Sequence, residues 1–185
     1  MVMATVSKVI KALEEDLIVS RENGLIKLLQ PDKLLDKLLE SYQMEKPPVL
    51  IRRRVNTAIS ALPAQLADLS KELKLPVVAT GLASVTQYAI MQRGDLLSIY
   101  CPNREVLLAR LPASESDRFP NLEVVASEDE TAYFDSRPDE QTGFRWASPL
   151  QTYLEMMRGD KRDQETASQV RAGLLQRSGS TPWNK

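Results

Sequence analysis

The chain of 185 residues contains no histidine and a single cysteine, Cys101. Without histidine there is no Ser-His-Asp triad, no H-E-x-x-H metal site and no imidazole acid–base catalyst. One cysteine builds neither an internal disulfide framework nor a zinc cluster, and with no histidine it has no partner to activate it as a nucleophile. A lone thiol fits a reducing compartment. The sequence also lacks an apolar run near the 18 or so residues of a spanning helix, and it lacks a charged-then-apolar leader. The expectation is therefore a cytoplasmic protein with no membrane partner. Net charge is −1, so no global field draws the chain onto nucleic acid, and any DNA contact has to come from a local patch. The first 54 residues carry a small excess of Lys and Arg, and the remainder a small excess of acids. No internal repeat and no low-complexity tract is present. With 43% hydrophobic and 26% charged residues, the chain can build one medium core, or a small module plus a domain.

The first thirty residues are the most informative. From Thr5 to Leu17, apolar side chains recur at Val6, Val9, Ile10, Leu13 and Leu17, the ladder of a helix packed on one side. The opposite side begins with Thr5, Ser7, Lys8 and Lys11, short hydroxyls and cations suited to phosphates and base edges. Glu14, Glu15 and Asp16 follow within two turns and would weaken a phosphate contact. Leu17 to Leu29 then reads as a β-hairpin turning at Asn23-Gly24, where both central positions need positive φ. Arg21, Asn23 and Lys27 lie where a wing would approach a backbone. They are equally the solvated residues that keep an edge from pairing. A helix followed at once by a two-stranded wing is the second half of a winged helix-turn-helix. The two helices that usually come first need roughly 25–35 residues, whereas only four precede Thr5, so the expectation is a partial copy of that domain.

Pro31-Asp32 opens a second amphipathic helix, with Leu34, Leu35, Leu38, Leu39 and Tyr42 as its stripe. Pro47-Pro48 reads as a linker. Beyond it, Val49-Leu50-Ile51 is extended and runs into Arg52-Arg53-Arg54, the densest cationic run, which either touches DNA or borders a strand. A helix follows from Ala64 to Leu73. Strands are expected at Pro76–Thr80, Leu96–Cys101, Val106–Leu111, Leu122–Ala126, Thr131–Asp135 and Phe144–Ala147, with a helix over Ala83–Met91. Ser148-Pro149 supplies an N-cap and a first helical position, and Leu150, Tyr153, Leu154 and Met157 line the buried side of the helix it starts. Gly159 stops that helix, Asp163–Gln176 forms the last one, and residues 178–185 read as a frayed tail. The fold class is α+β: a partial winged helix-turn-helix over 1–46, then a mixed α/β domain over 47–177 with a small sheet and C-terminal helices.

Carboxylate chemistry has one candidate, the Thr80-Gly81-Leu82-Ala83-Ser84 turn, which superficially resembles the phosphate cradle of nucleotidyltransferases. Such an enzyme needs carboxylates on the next strand to hold Mg²⁺. That strand reads Leu97-Ser98-Ile99-Tyr100, with only Asp95 before it. A metal-dependent nuclease would want an acid followed by an acid-x-Lys strand, and neither Glu123-Val124-Val125 nor Asp135-Ser136-Arg137 supplies one. Ser98 reads as a sheet residue rather than a nucleophile. Gly81 then serves a tight strand-to-helix turn. No catalytic residue, metal site or cofactor is expected, and a degenerate nucleotide-binding or nuclease-like enzyme remains the weakest of three readings.

The run Val6-Ser7-Lys8-Val9-Ile10-Lys11-Ala12-Leu13-Glu14-Glu15, the hairpin, and Pro31-Asp32-Lys33-Leu34-Leu35-Asp36 resemble the N-terminal winged helix of the AbiEi-type antitoxin/transcriptional regulator family of type IV toxin–antitoxin systems. Ala147-Ser148-Pro149-Leu150-Gln151-Thr152-Tyr153-Leu154-Glu155, then a charged turn and Glu165-Thr166-Ala167, is similar to that family's C-terminal signature, and Thr80-Gly81-Leu82-Ala83 matches in kind and position. The resemblance covers roughly residues 4–176. It implies a repressor-like, non-enzymatic protein with a head that binds double-stranded DNA and a body that engages a cognate toxin. On this reading Thr5, Ser7, Lys8 and Lys11 face the groove, and Arg21, Asn23 and Lys27 are wing contacts. The alternative is a protein–protein interaction module. In that case Val6, Val9, Ile10, Leu13 and Leu17, lacking helical partners, pack in a homodimer or against a toxin.

Overall fold

In the computed structural model the described residues are 3–43, 50–91, 94–112 and 118–178. The Pro47-Pro48 linker and all but the first residue of the 178–185 tail lie outside them. The architecture is α+β, with seven α-helices and two sheets among the described residues. The chain folds as two compact units, one of Met1–Glu45 with Ala172–Lys185, the other Lys46–Arg171.

The first unit begins with α1 (Met3–Glu15). The helix stops two residues short of the apolar ladder. Ile18 N–H donates to the Leu13 carbonyl at 2.9 Å and Leu17 N–H to that of Glu14 at 3.0 Å, while Leu17 takes φ +59°. That is the left-handed helix stop usually given to glycine. Leu17 thus leaves the stripe that the sequence assigned to it. Strands β1 (Val19–Glu22) and β2 (Leu25–Leu28) pair antiparallel, with Glu22 opposite Leu25. Asn23 and Gly24 between them sit at φ +52° and +79°, the doubly left-handed turn that Asn-Gly favours. Ile18 N–H is spent on the helix stop and its carbonyl accepts from Leu29 and Gln30, so this fully buried residue joins helix, hairpin and the start of α2 (Pro31–Gln43). Val19 and Leu35 are buried with Ile18 in the unit's core.

The second unit is built on a six-stranded sheet of order β3-β6-β5-β4-β8-β7. Its strands are β3 (Leu50–Arg53), β4 (Val78–Ala79), β5 (Leu97–Cys101), β6 (Leu122–Ala126), β7 (Arg137–Pro138) and β8 (Arg145–Trp146). The β6–β5 and β4–β8 pairs are parallel and the other three antiparallel. The period of two puts Ala79, Leu97, Ile99, Cys101, Leu122, Val124 and Trp146 on one face. There they pack with Leu62, Leu66 and Leu69 of α3 (Leu62–Leu73) and Leu107 of α5 (Arg104–Leu108). The opposite face carries Tyr100 and Val125 against Ala132 and Tyr133.

Three expected elements differ. Val106–Leu111 is not a strand: the Asn103 side chain accepts from Val106 N–H and caps α5 instead. Thr131–Asp135 is replaced by a 3-10 turn over Glu130–Tyr133, capped by Asp129. The Ala83–Met91 helix shortens to α4 (Gly81–Ser84) and a 3-10 turn to Gln87. At the C-terminal end, Ser148 caps α6 (Pro149–Met156) by accepting from Gln151 N–H, and α7 runs Lys161–Ser178.

Candidate interaction surface and the glycine turn

At 100° per residue, Lys8 and Lys11 share one side of α1, with Ser7 and Thr5 at its two flanks. All four are exposed. Glu15 lies on the same side one turn on, and Lys11 Nζ reaches its Oε1 at 3.8 Å. The pair is open to solvent and contributes little to stability. In the hairpin, Arg21 is paired in register with Ile26 and Lys27 with Ser20, so the two cations point from opposite faces. Arg21 leans back onto the helix, its Nε 3.2 Å from Glu14 Oε1. Lys27 and Asn23 remain exposed at the hairpin. The structure therefore places Lys8 and Lys11 side by side with the two hydroxyls at opposite flanks, and does not bring Arg21 and Lys27 together. Farther along, Lys37 Nζ lies 2.8 Å from Asp16 Oδ2, and that hydrogen bond and charge hold the Lys37 ammonium above its ordinary pKa.

The same small unit leaves much apolar surface open. Val6, Val9, Leu17, Leu25, Ile26, Leu28 and Leu29 are all exposed, Val9 at 53% and Leu25 at 69%. Ile10 and Leu13 are half-buried. Seven exposed large apolar residues within 24 positions exceed the single scattered ones that need no explanation.

In the second unit the Gly81 turn is closed by a side chain that sequence reasoning missed. The Glu155 carboxylate, on α6, accepts from the backbone N–H of Leu82 at 3.3 Å and from that of Gly81. It also accepts from Tyr100 Oη at 2.8 Å and Gln151 Nε2 at 2.9 Å. Burial pushes this carboxyl above its usual range, against the four hydrogen bonds that favour the charged form. A Cβ on Gly81 would stand 2.8 Å from both Glu155 Cδ and Thr152 Cα, so the turn sits directly on α6 and only glycine fits. The N–H groups that a phosphate would need are thus spent on a carboxylate of the chain itself. Gln151 and Glu155 are four apart, which places them side by side on α6. That spacing was visible in the sequence, but nothing local tied it to Gly81.

An open cleft of about 320 Å³ lies beside the turn, lined largely by apolar residues, with Ser98 and Asp163 among its polar members. Ser98 Oγ donates to Glu123 Oε1 at 2.8 Å, and the other oxygen of Glu123 takes Arg52 Nε at 2.7 Å. Both oxygens of Glu123 are thus engaged, and the row Ser98–Glu123–Arg52 ties neighbouring strands of the sheet together. Asp95 is exposed. Among the described residues, no three Cys, Asp or Glu side chains are grouped to hold a metal ion. No helix among them is long and apolar enough to cross a membrane. Comparison with protein-family models and with curated proteins returns no match for this chain.

Proposed function

We propose that the chain is a DNA-binding transcriptional regulator of antitoxin type that performs no catalysis. The observation that carries this reading is the passage from α1 straight into a tight hairpin, with Lys8 and Lys11 exposed side by side on the helix and Thr5 and Ser7 exposed at their two flanks. In a winged helix that side of the recognition helix enters the major groove and the hairpin follows the backbone. Asn23 and Lys27 at the hairpin, with Arg21 once released from Glu14, serve as its wing contacts. The resemblance to AbiEi-type antitoxins supports a cognate toxin as the protein partner. The Glu155 carboxylate over the Gly81 and Leu82 N–H groups supports a body that binds no nucleotide there. Because the lysines are interleaved with acids, affinity on this reading is modest and strongly salt-dependent. Titration of a labelled duplex library at rising salt, with enrichment sequencing of the retained fraction, tests it. Enrichment of one motif supports sequence-specific reading, and uniform retention or none contradicts it.

A second reading is favoured by the exposed apolar residues of the first unit. On it the unit is an association module, with Val6, Val9, Ile10 and Leu13 of α1 covered by a second copy or by the toxin. The two readings are compatible if dimerisation assembles the DNA-binding surface, and then the simplest assembly is a two-fold dimer. They separate experimentally: a salt-indifferent dimer that retains no DNA leaves only the second.

A further inference from the structure

The run Arg52-Arg53-Arg54 has no role in the reading above, yet the fold gives it a specific setting. Arg52 and Arg53 end the edge strand β3 and Arg54 follows it, while Arg118 and Phe119 lie just before the paired strand β6. Asn121 fastens the two segments. Its side chain accepts from Val55 N–H at 2.9 Å and donates to the carbonyls of Val55 and Thr57 at 3.1 and 3.0 Å. Its own N–H donates to the Arg53 carbonyl. Arg54 Nη1 in turn donates to the Phe119 carbonyl at 3.2 Å. Four arginines are held on this rim, all exposed, and Arg52 engages Glu123 of the neighbouring strand.

Phe119 departs from ordinary packing in two respects. The residue is 85% exposed, and its backbone sits at φ +54°, a region that bulky side chains avoid. An apolar ring shown to water on a strained backbone contributes nothing to the core. Strain of this kind persists where surrounding structure enforces it, here the Asn121 clamp. An exposed aromatic face rimmed by guanidinium groups is the combination that stacks an unpaired base while neutralising the phosphates on either side of it.

We infer that this rim of the second unit binds single-stranded nucleic acid, with Phe119 as the stacking platform and Arg53, Arg54 and Arg118 as phosphate contacts. A duplex keeps its bases stacked on one another and offers the ring nothing to stack on. The surface therefore has a ligand different from that of α1, and its assignment does not depend on what α1 binds.

The test uses the full chain and labelled 15-mers of mixed sequence, as RNA and as single-stranded DNA, with inorganic polyphosphate as a competitor that lacks bases. Phe119→Ala and Phe119→Gly are expected to weaken single-strand binding by about 5- to 150-fold, with Phe119→Trp retaining it. Phe119→Gly is also expected to raise the denaturation midpoint, since it removes the left-handed strain. Arg54→Ala is expected to reduce the log–log salt slope by about 0.7, and polyphosphate binding should respond to Arg54 but not to Phe119. Whichever of RNA and DNA binds more tightly identifies the source of the strand. Unchanged single-strand affinity in both Phe119→Ala and Phe119→Gly overturns the inference, as does an equal loss of polyphosphate binding in those variants.

Discussion

The Glu155 carboxylate accepts a hydrogen bond from the backbone N–H of Leu82, 73 positions earlier in the chain, and thereby seats the β4–α4 turn on α6. Gly81 makes that seat possible, because a side chain there would meet the α6 backbone at 2.8 Å. Gly81→Ala is expected to destabilise the second unit by about 1–3 kcal/mol or more, the range for overpacking a tight contact. Urea denaturation followed by tryptophan fluorescence measures it, and an unchanged midpoint would mean that the turn does not bear on α6.

The same carboxyl has a pH signature. Its folded pKa is raised by burial, so between the unfolded and folded values the native state holds the extra proton. Stability from this group is present below the unfolded pKa, near 4.5, and is lost as pH rises through the folded value. Glu155→Gln removes that loss. Relative to wild type, the variant should gain stability as pH rises from 4 to 7. A constant difference across that range would show that Glu155 titrates alike in both states.

Leu17 closes α1 at φ +59° and is 65% exposed. Leu17→Gly should stabilise the first unit by about 1 kcal/mol, since it removes a left-handed penalty of about 1–2 kcal/mol and sacrifices little burial. A helix-selective signal such as far-UV circular dichroism during thermal melting reads this out. A lower midpoint would place the Leu17 side chain in an association surface rather than in solvent.

Val9 is 53% exposed, so Val9→Asp has little to disrupt within one copy of the chain. If the α1 stripe is shared between copies, the change buries a charge and the dimer dissociates. Sedimentation velocity at tens of micromolar distinguishes the outcomes. The account expects a dimer for wild type and a folded monomer for Val9→Asp. A wild type that is monomeric throughout would remove the shared stripe.

What the sequence made legible follows from how local each cause is. Asn23-Gly24 announced its hairpin because positive φ at two successive residues is a two-residue property. Ser148-Pro149 announced α6 because its cap is closed within three residues. Val106–Leu111 misled, since a short apolar run fits a buried strand and a buried helix alike, and the Asn103 cap settles which one forms. The bracing residues were out of reach. Asn121 ties together positions 64 and 66 apart, and Glu155 binds partners 55 and 73 positions away. Neither carries a motif, and only the folded sheet brings them to their partners. The Lys8 and Lys11 surface was legible as a helix face, whereas the separation of Arg21 from Lys27 required the hairpin register.

The central claim is that α1 reads a duplex, and the salt dependence of binding tests it most directly. Duplex affinity should be measured between 50 and 300 mM salt, roughly the range over which phosphate contacts are lost, for wild type, Lys8→Ala and Lys11→Ala. Both lysines are exposed, so the variants should fold normally. The account predicts weaker binding in each, with a log–log slope shallower by about 0.9 per lost phosphate contact. Wild-type affinity and slope in both variants would contradict it and take α1 out of any DNA interface.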